Sequence, residues 1–238
     1  RSWSIGVSYG TRQECDYTEV TGDEGTACEQ RILLVEDDPT TSKSIELMLQ
    51  NANLNVYATD LGEEGVDLAK LYDYDLILLD LNLPDVTGIE GVMALRGLVD
   101  DVPLTVLSSE FDPGLVTAAL AVGVRGYILK NLARNRLVDA FEAMWSGQIV
   151  TPDAYEPGMH GNEDEIAALT RDFSTLTPQQ MNILRLICEG RPNKLISYEL
   201  SIAEATVKTH IAAIMSKINV RNRTQAALLA SKARVFTR

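Results

Sequence analysis

Cysteine is scarce in these 238 residues: Cys15, Cys28 and Cys188 are odd in number, far apart and without a CxxC spacing. Neither a disulfide framework nor a zinc site fits that usage, and reduced thiols are the expectation. Histidine is scarcer still. His160 stands in a Pro/Gly-rich stretch and His210 stands alone near the C-terminus, so the sequence offers no histidine metal site. No apolar run approaches the roughly 20 residues needed to cross a bilayer, and the polar residues 1–30 lack the apolar core of a secretory signal. A membrane partner is therefore not expected, and a cytoplasmic location is. Positive charge is also in deficit, with 21 Lys and Arg against 34 Asp and Glu.

That deficit is unevenly spread, which decides how it is read. Residues 31–150 carry 8 basic and 19 acidic side chains, whereas residues 174–238 carry 10 basic and 3 acidic. An evenly acidic chain would argue against nucleic acid; an acidic unit followed by a basic one does not. We expect two units, at 31–147 and 174–238. Between them, residues 148–173 contain Pro152, Pro157, Gly158 and Gly161, which predicts an extended or loose linker, part of which, 163–171, could form one or two helical turns. Residues 1–30 show no sustained hydrophobic period and are expected to be a disordered or artefactual extension.

The acidic unit alternates short aliphatic runs with amphipathic stretches. The runs at 32–35, 55–58, 76–79, 104–107 and 126–129 predict strands, and the stretches at 40–51, 63–71, 88–98, 113–122 and 132–144 predict helices. Alternation of this kind demands right-handed crossovers, so the fold class is α/β: a (βα)5 doubly wound parallel sheet with helices on both faces. Under that assignment Glu36 and Asp37 lie just beyond the first strand, while Asp80, Ser108 and Lys130 end the third, fourth and fifth. All five share the carboxyl edge, where ligands of such sheets bind. Three carboxylates at one place repel one another unless a cation neutralises them. Hard oxygen donors at that density suit Mg2+, which takes phosphate oxygens as further ligands. Lys130 and Ser108 would then supply positive charge and a hydrogen bond to a phosphoryl group received by Asp80 as nucleophile.

These residues carry a family resemblance. The run Leu33-Leu34-Val35-Glu36-Asp37, then Leu79-Asp80-Leu81-Asn82-Leu83-Pro84, Leu107-Ser108 and Gly126-Tyr127-Ile128-Leu129-Lys130 resembles the receiver domain of bacterial two-component response regulators over about 120 residues. The resemblance implies that Asp80 accepts phosphate from a sensor histidine kinase or a small phosphodonor. It also implies that Glu36, Asp37, Asp80 and the Asn82 backbone carbonyl hold Mg2+, and that Ser108 and Tyr127 form a switch pair. Asp38 competes with Asp37 as acidic ligand but suits a helix cap before Pro39. Tyr127 competes with a plain packing role. Glu110 and Asn82 flank the site.

The basic unit reads as four helices. Thr177, Pro178 and Gln180 spell a capping box and a proline at the first helical position, Gly190 is a stop, a short helix runs through Leu195 and Ile196, and further helices are expected over 203–218 and 223–232. Two helices joined by so short a turn form a helix-turn-helix. Asn193-Lys194-Leu195-Ile196, Ile202, Glu204, Thr206-Val207-Lys208-Thr209-His210, Ile214, Lys217, Val220, Arg221, Arg223 and Thr224 resemble the LuxR/FixJ (NarL) type of that motif over about 60 residues. Lys208 and Thr209 would face the DNA groove. Lys194, Thr206, His210, Arg221 and Arg223 are candidates for phosphate contacts. Val207, Ile211 and Ile214 should be core. Leu195, Gln180, Ala212 and Ala213 depart from the family pattern, so direct base readout should be sparse.

The whole is expected to be a DNA-binding response regulator, not an enzyme. Phosphorylation would control dimerisation and promoter binding, with RNA polymerase as a further contact; segments 115–132 and 226–230 offer dimer faces. The opposite charges also suggest that the acidic unit covers the basic recognition helix at rest. The nearest rival is a regulator of the same build that responds to a ligand or to its own concentration. A phosphatase using Asp80 needs a second aspartate two residues on, where this chain has Asn82.

Overall fold

The structure is a computed structural model describing residues 30–99, 102–158 and 161–236. The expectations for residues 1–29, and for His160, fall outside the described residues. Five strands, β1 (Arg31–Val35), β2 (Asn55–Thr59), β3 (Leu76–Asp80), β4 (Leu104–Ser108) and β5 (Gly126–Leu129), alternate with helices α1 (Pro39–Gln50), α2 (Gly62–Leu71), α3 (Ile89–Arg96), α4 (Pro113–Val122) and α5 (Arg134–Trp145). The strands pair in parallel in the order β2-β1-β3-β4-β5. The order reverses between β1 and β3, and the crevice at that switch point is where such sheets bind ligands.

Period-two alternation builds a core on each face of the sheet. Leu33, Val35, Ile77, Leu79 and Val106 point to one side, with Val92 of α3 and Val116 of α4. Ile32, Leu34, Leu76, Leu78 and Leu107 point to the other, with Ile45 and Leu49 of α1 and Leu137, Phe141 and Met144 of α5. Proline and a carboxylate start two of the helices: Asp38 accepts from Thr41 N ahead of Pro39, and Asp112 accepts from Gly114 N ahead of Pro113.

The described residues of the stretch expected to be loose pack against the first unit. Val150 extends the sheet edge, accepting from Tyr127 N and donating to Arg125 O at 2.9 Å each, and the buried Tyr155 places its hydroxyl 3.1 Å from Thr117 Oγ1. A full helix, α6 (Glu163–Ser174), then packs along α4. Glu163, Asp164 and Glu165 favour its positive end, and Ile166, Thr170 and Phe173 form its buried stripe. The prolines and glycines shape only the stretch before it.

The C-terminal unit comprises α7 (Pro178–Cys188), α8 (Asn193–Glu199), α9 (Glu204–Lys217) and α10 (Arg223–Lys232). Its core gathers Phe173, Ile183, Leu184, Ile196, Val207 and Ile214, with the half-buried Ile211 against it. The Thr177 and Gln180 capping box is formed in both directions. Cys188 is a half-buried free thiol that burial pushes up to about 11, so it is protonated near neutral pH.

The two units dock, but not as the charge pattern suggested. Gly88 precedes α3 with φ 69° and offers no side-chain cap. The free amides of Ile89 and Glu90 instead donate to the Arg234 and Val235 carbonyls, at 3.5 and 3.3 Å. Arg185 of α7 forks onto Glu90, with Nε 3.2 Å from Oε2. Arg234 pairs with Asp112 at 3.2 Å and Lys232 with Glu165 at 2.6 Å. Met93 of α3 packs against both cores. The acidic unit thus holds the rear of the C-terminal unit. On α9, Lys208 and Thr209 stay exposed, and Lys208 pairs with Glu204 of its own helix at 3.1 Å. The expected covering of that helix is not present. The 115–132 face proposed for dimerisation is also partly taken, since α6 lies on α4.

Burial raises the Glu90 carboxyl above its ordinary value, and Arg185 only partly opposes this. A carboxyl whose folded value is raised contributes stability that is full below its unfolded value and lost as pH rises through the folded one. Glu90→Gln should therefore gain on the wild-type chain in denaturant midpoint as pH rises from about 4 to 7. Arg185→Ala should lose at neutral pH, because it leaves Glu90 buried beside no cation. Parallel pH dependences for Glu90→Gln and wild type would contradict this account.

Candidate functional site

At the carboxyl edge, four charged side chains from three strands meet. Glu36 follows β1, its amide held by Thr59 O at 2.9 Å. Asp80 closes β3, and Lys130 follows β5, its amide held by Ser108 O at 2.8 Å. The Lys130 ammonium lies 2.7 Å from Glu36 Oε2, 2.8 Å from Oε1 and 3.0 Å from Asp80 Oδ2. Glu36 and Asp80 are only 2 and 3% exposed, so Asp80 is nearly sealed rather than projecting into solvent. Asp37 is exposed, and one oxygen each of Glu36, Asp37 and Asp80 lie within 4.8 Å of one another.

One ammonium does not satisfy this cluster. Asp80 Oδ1 is buried and has no hydrogen-bond partner among the described residues, a condition that normally costs about 1–3 kcal/mol. Burial lifts the Glu36 carboxyl above its usual range, with Asp80 adding to the rise and Lys130 opposing it. Burial also works against charge on Lys130, but hydrogen bonds to Glu36 and Asp80 outweigh it and raise the ammonium above its ordinary value. Oxygen donors, a buried lone pair without a partner and surplus negative charge fit a hard divalent cation.

Ser108 closes β4 with its hydroxyl turned into the following loop, donating to Glu110 O at 2.8 Å and accepting from Glu110 N at 3.3 Å. Tyr127 is already turned inward, 1% exposed, packed in the same core as α4. Its hydroxyl completes no well-formed hydrogen bond among the described residues, and burial raises the phenol above its ordinary value while the nearby Ser108 side chain opposes the rise. Asn82 is exposed and bridged to Thr87 across the β3–α3 loop. Asp38 spends its carboxylate on the α1 cap, accepting from Thr41 N at 2.8 Å.

In the C-terminal unit, Lys194, Thr206, Lys208, Thr209 and Arg221 are exposed and His210 is half-buried. Arg223 is half-buried and donates to Arg191 O at 2.7 Å, so one face of its guanidinium braces the α7–α8 turn. Lys217 is likewise structural, bonding Thr175 O at 2.7 Å and Gln180 Oε1 at 2.9 Å. The residues that sequence reading missed are Glu90, Arg185 and Asp85. Each acts on a partner distant in sequence, and no local spacing marks it.

Two family models match: a response regulator receiver domain over residues 32–142 and the bacterial regulatory proteins of the luxR family over residues 174–230. The nitrate/nitrite response regulator protein NarL of Escherichia coli strain K12 is 34% identical over 208 residues, spanning 86% of this chain and 96% of its own. The glycerol metabolism activator of Pseudomonas putida is 33% identical, spanning 84% and 94%. A solved structure of two RcsB dimers bound to two parallel DNAs aligns with a TM-score of 0.50 at 21% identity, over 86% and 98% of the chains, and supports the fold alone. The chain belongs to the response regulators that join a receiver domain to a LuxR-type helix-turn-helix. It is a DNA-binding two-component response regulator and not an enzyme. Among the described residues no helix is long and apolar enough to cross a membrane.

Removing Lys130 tests the electrostatics directly. In metal-free buffer at neutral pH, Lys130→Met should lose roughly 3 kcal/mol of unfolding free energy, because it leaves two buried carboxylates unpaired. The loss should shrink on acidification, since Glu36 binds a proton more readily folded than unfolded. Urea denaturation at several pH values checks both. Unchanged midpoints throughout would contradict the buried-pair account.

Proposed function

We propose that Asp80 receives a phosphoryl group from a sensor histidine kinase or a small phosphodonor, and that this event controls transcription through the C-terminal helix-turn-helix. The observation that carries the reading is the state of Asp80: Oδ2 is held by Lys130, Oδ1 is buried with no partner among the described residues, and one Asp80 oxygen lies within 4.8 Å of one each from Glu36 and Asp37. Glu36, Asp37, Asp80 and the Asn82 carbonyl would hold Mg2+, which when bound neutralises phosphate charge. Lys130 orients Asp80 and stabilises the phosphoryl oxygens, and Ser108 gives up its bond to Glu110 to reach them. Tyr127 completes the switch, because its buried hydroxyl has no well-formed hydrogen bond and lies close enough to Ser108 to respond when that side chain moves. Units 31–147 and 174–238, joined by 148–173, are the functional domains on this reading.

At the other end, Lys208 and Thr209 would enter the major groove, with Lys194, Thr206, His210, Arg221 and Arg223 on phosphates. A cytoplasmic homodimer on promoter DNA, within reach of RNA polymerase, is the active form we propose. The exposed recognition helix favours one variant, in which the unphosphorylated chain already touches DNA and phosphorylation adjusts presentation rather than access.

The deciding experiment is a DNA titration with and without Mg2+ and acetyl phosphate, using a duplex selected from a random pool by the chain itself. Wild type should gain mass by one phosphoryl group and bind DNA at least several-fold more tightly, and Asp80→Ala should do neither. Equal, donor-independent binding by both chains would replace this reading with control by ligand or concentration.

A further inference from the structure

Helix α2 carries Glu63 and Glu64 in its first turn but no side-chain cap of its own. Its N-cap residue, Leu61, has no side-chain hydrogen bond to the helix start. The orphan amides are met from another loop: Asp85, in the β3–α3 connection, accepts from Gly62 N through Oδ1 at 2.9 Å and from Glu63 N through Oδ2 at 2.8 Å. A carboxylate there also suits the positive end of the helix.

The same loop is tied down elsewhere. Gly88 N donates to Leu81 O at 2.7 Å and Asn82 bridges Thr87, which closes residues 81–88 on themselves. Val86, next to Asp85, sits between α2 and α3 so tightly that a Cβ on Gly62 or Gly91 would stand 3.0 or 2.9 Å from its methyl groups. On its other side the start of α2 is joined to the β1 edge, because Glu64 accepts the Thr59 hydroxyl and Thr59 O holds the Glu36 amide. The first turn of α2 is therefore a common anchor for Glu36 on one side of the crevice and for the Asn82 backbone on the other.

We propose that Asp85 is a positioning residue: by capping α2 from the β3–α3 loop, it fixes the Asn82 carbonyl against Glu36, Asp37 and Asp80 for a divalent cation. The inference rests on the metal reading given under Proposed function. A carbonyl is a ligand only where its backbone is held, and groups that orient ligands typically alter metal affinity by about tenfold or more.

The test uses the full chain and Mg2+ alone, read by calorimetric titration and, without metal, by hydrogen exchange at the Gly62 and Glu63 amides. Asp85→Ala should speed exchange at both amides and weaken Mg2+ binding about tenfold. Asp85→Asn, which keeps one carbonyl acceptor, should lie between it and wild type. Trp145→Phe removes the indole bond to Asp75 O away from the site, and it should leave Mg2+ affinity unchanged. Faster exchange in Asp85→Ala with unaltered Mg2+ affinity would overturn the positioning role and leave a plain helix cap. Equal weakening in Trp145→Phe would overturn it too, by tracing the effect to general loosening. If the wild-type chain took up no Mg2+, the metal reading itself would fall and the positioning role with it.

Discussion

A single ammonium shared by two buried carboxylates organises the receiver. Glu36, Asp80 and Lys130 come from β1, β3 and β5, and Lys130 has to reach past β4 to touch both acids. Only a lysine stem is long enough and thin enough to deliver a compact charge there. The pairing needs strands whose carboxyl ends align, which parallel right-handed crossovers provide. It is also incomplete by design of the charges: one cation faces two sealed carboxylates with Asp37 beside them. That shortfall leaves surplus negative charge in the crevice.

From this edge the structure leads outward through α4. Tyr127 packs under that helix, and Asp112 caps its first turn while also pairing with Arg234 of the C-terminal tail. Along its length lies α6, and the neighbouring α3 has its opening amides closed by the tail carbonyls. The DNA-binding unit is thus attached to the elements that stand next to Ser108 and Tyr127. A rearrangement at the start of α4 changes a helix cap and an interdomain ion pair at once, because both use the same carboxylate.

The sheet and its helices were legible because aliphatic runs of strand length alternate with helical periods, and the observed strand ends fall within a residue of those expected. The site was legible for the same reason: once strands are placed, Glu36, Asp80, Ser108 and Lys130 fall at their ends without further information. Helix α6 was legible only in part, as one or two turns over 163–171, because Pro152, Pro157, Gly158 and Gly161 mask the acidic start and apolar stripe that follow. Asp85 was hidden for a different reason. An aspartate one residue after a proline reads as a local turn former, whereas here it caps a helix that begins 23 residues earlier.

Charge polarisation taught the least about docking, and the physics explains why. Opposite net charges attract two domains in any orientation, and between solvated groups the attraction fades over about 8 Å at physiological salt. Orientation is set by contacts that must be satisfied at short range: the uncapped amides of α3, the buried Glu90 needing a cation, and the apolar seam at Met93. Those lie on the rear of the helix-turn-helix. A receiver bound there leaves Lys208 and Thr209 exposed, so on the proposed reading regulation would not work by burying them. What it can change is where that surface is held, through α4, α6 and the tail. Control of placement, rather than of access, is the kind of regulation that the proposed function would then use.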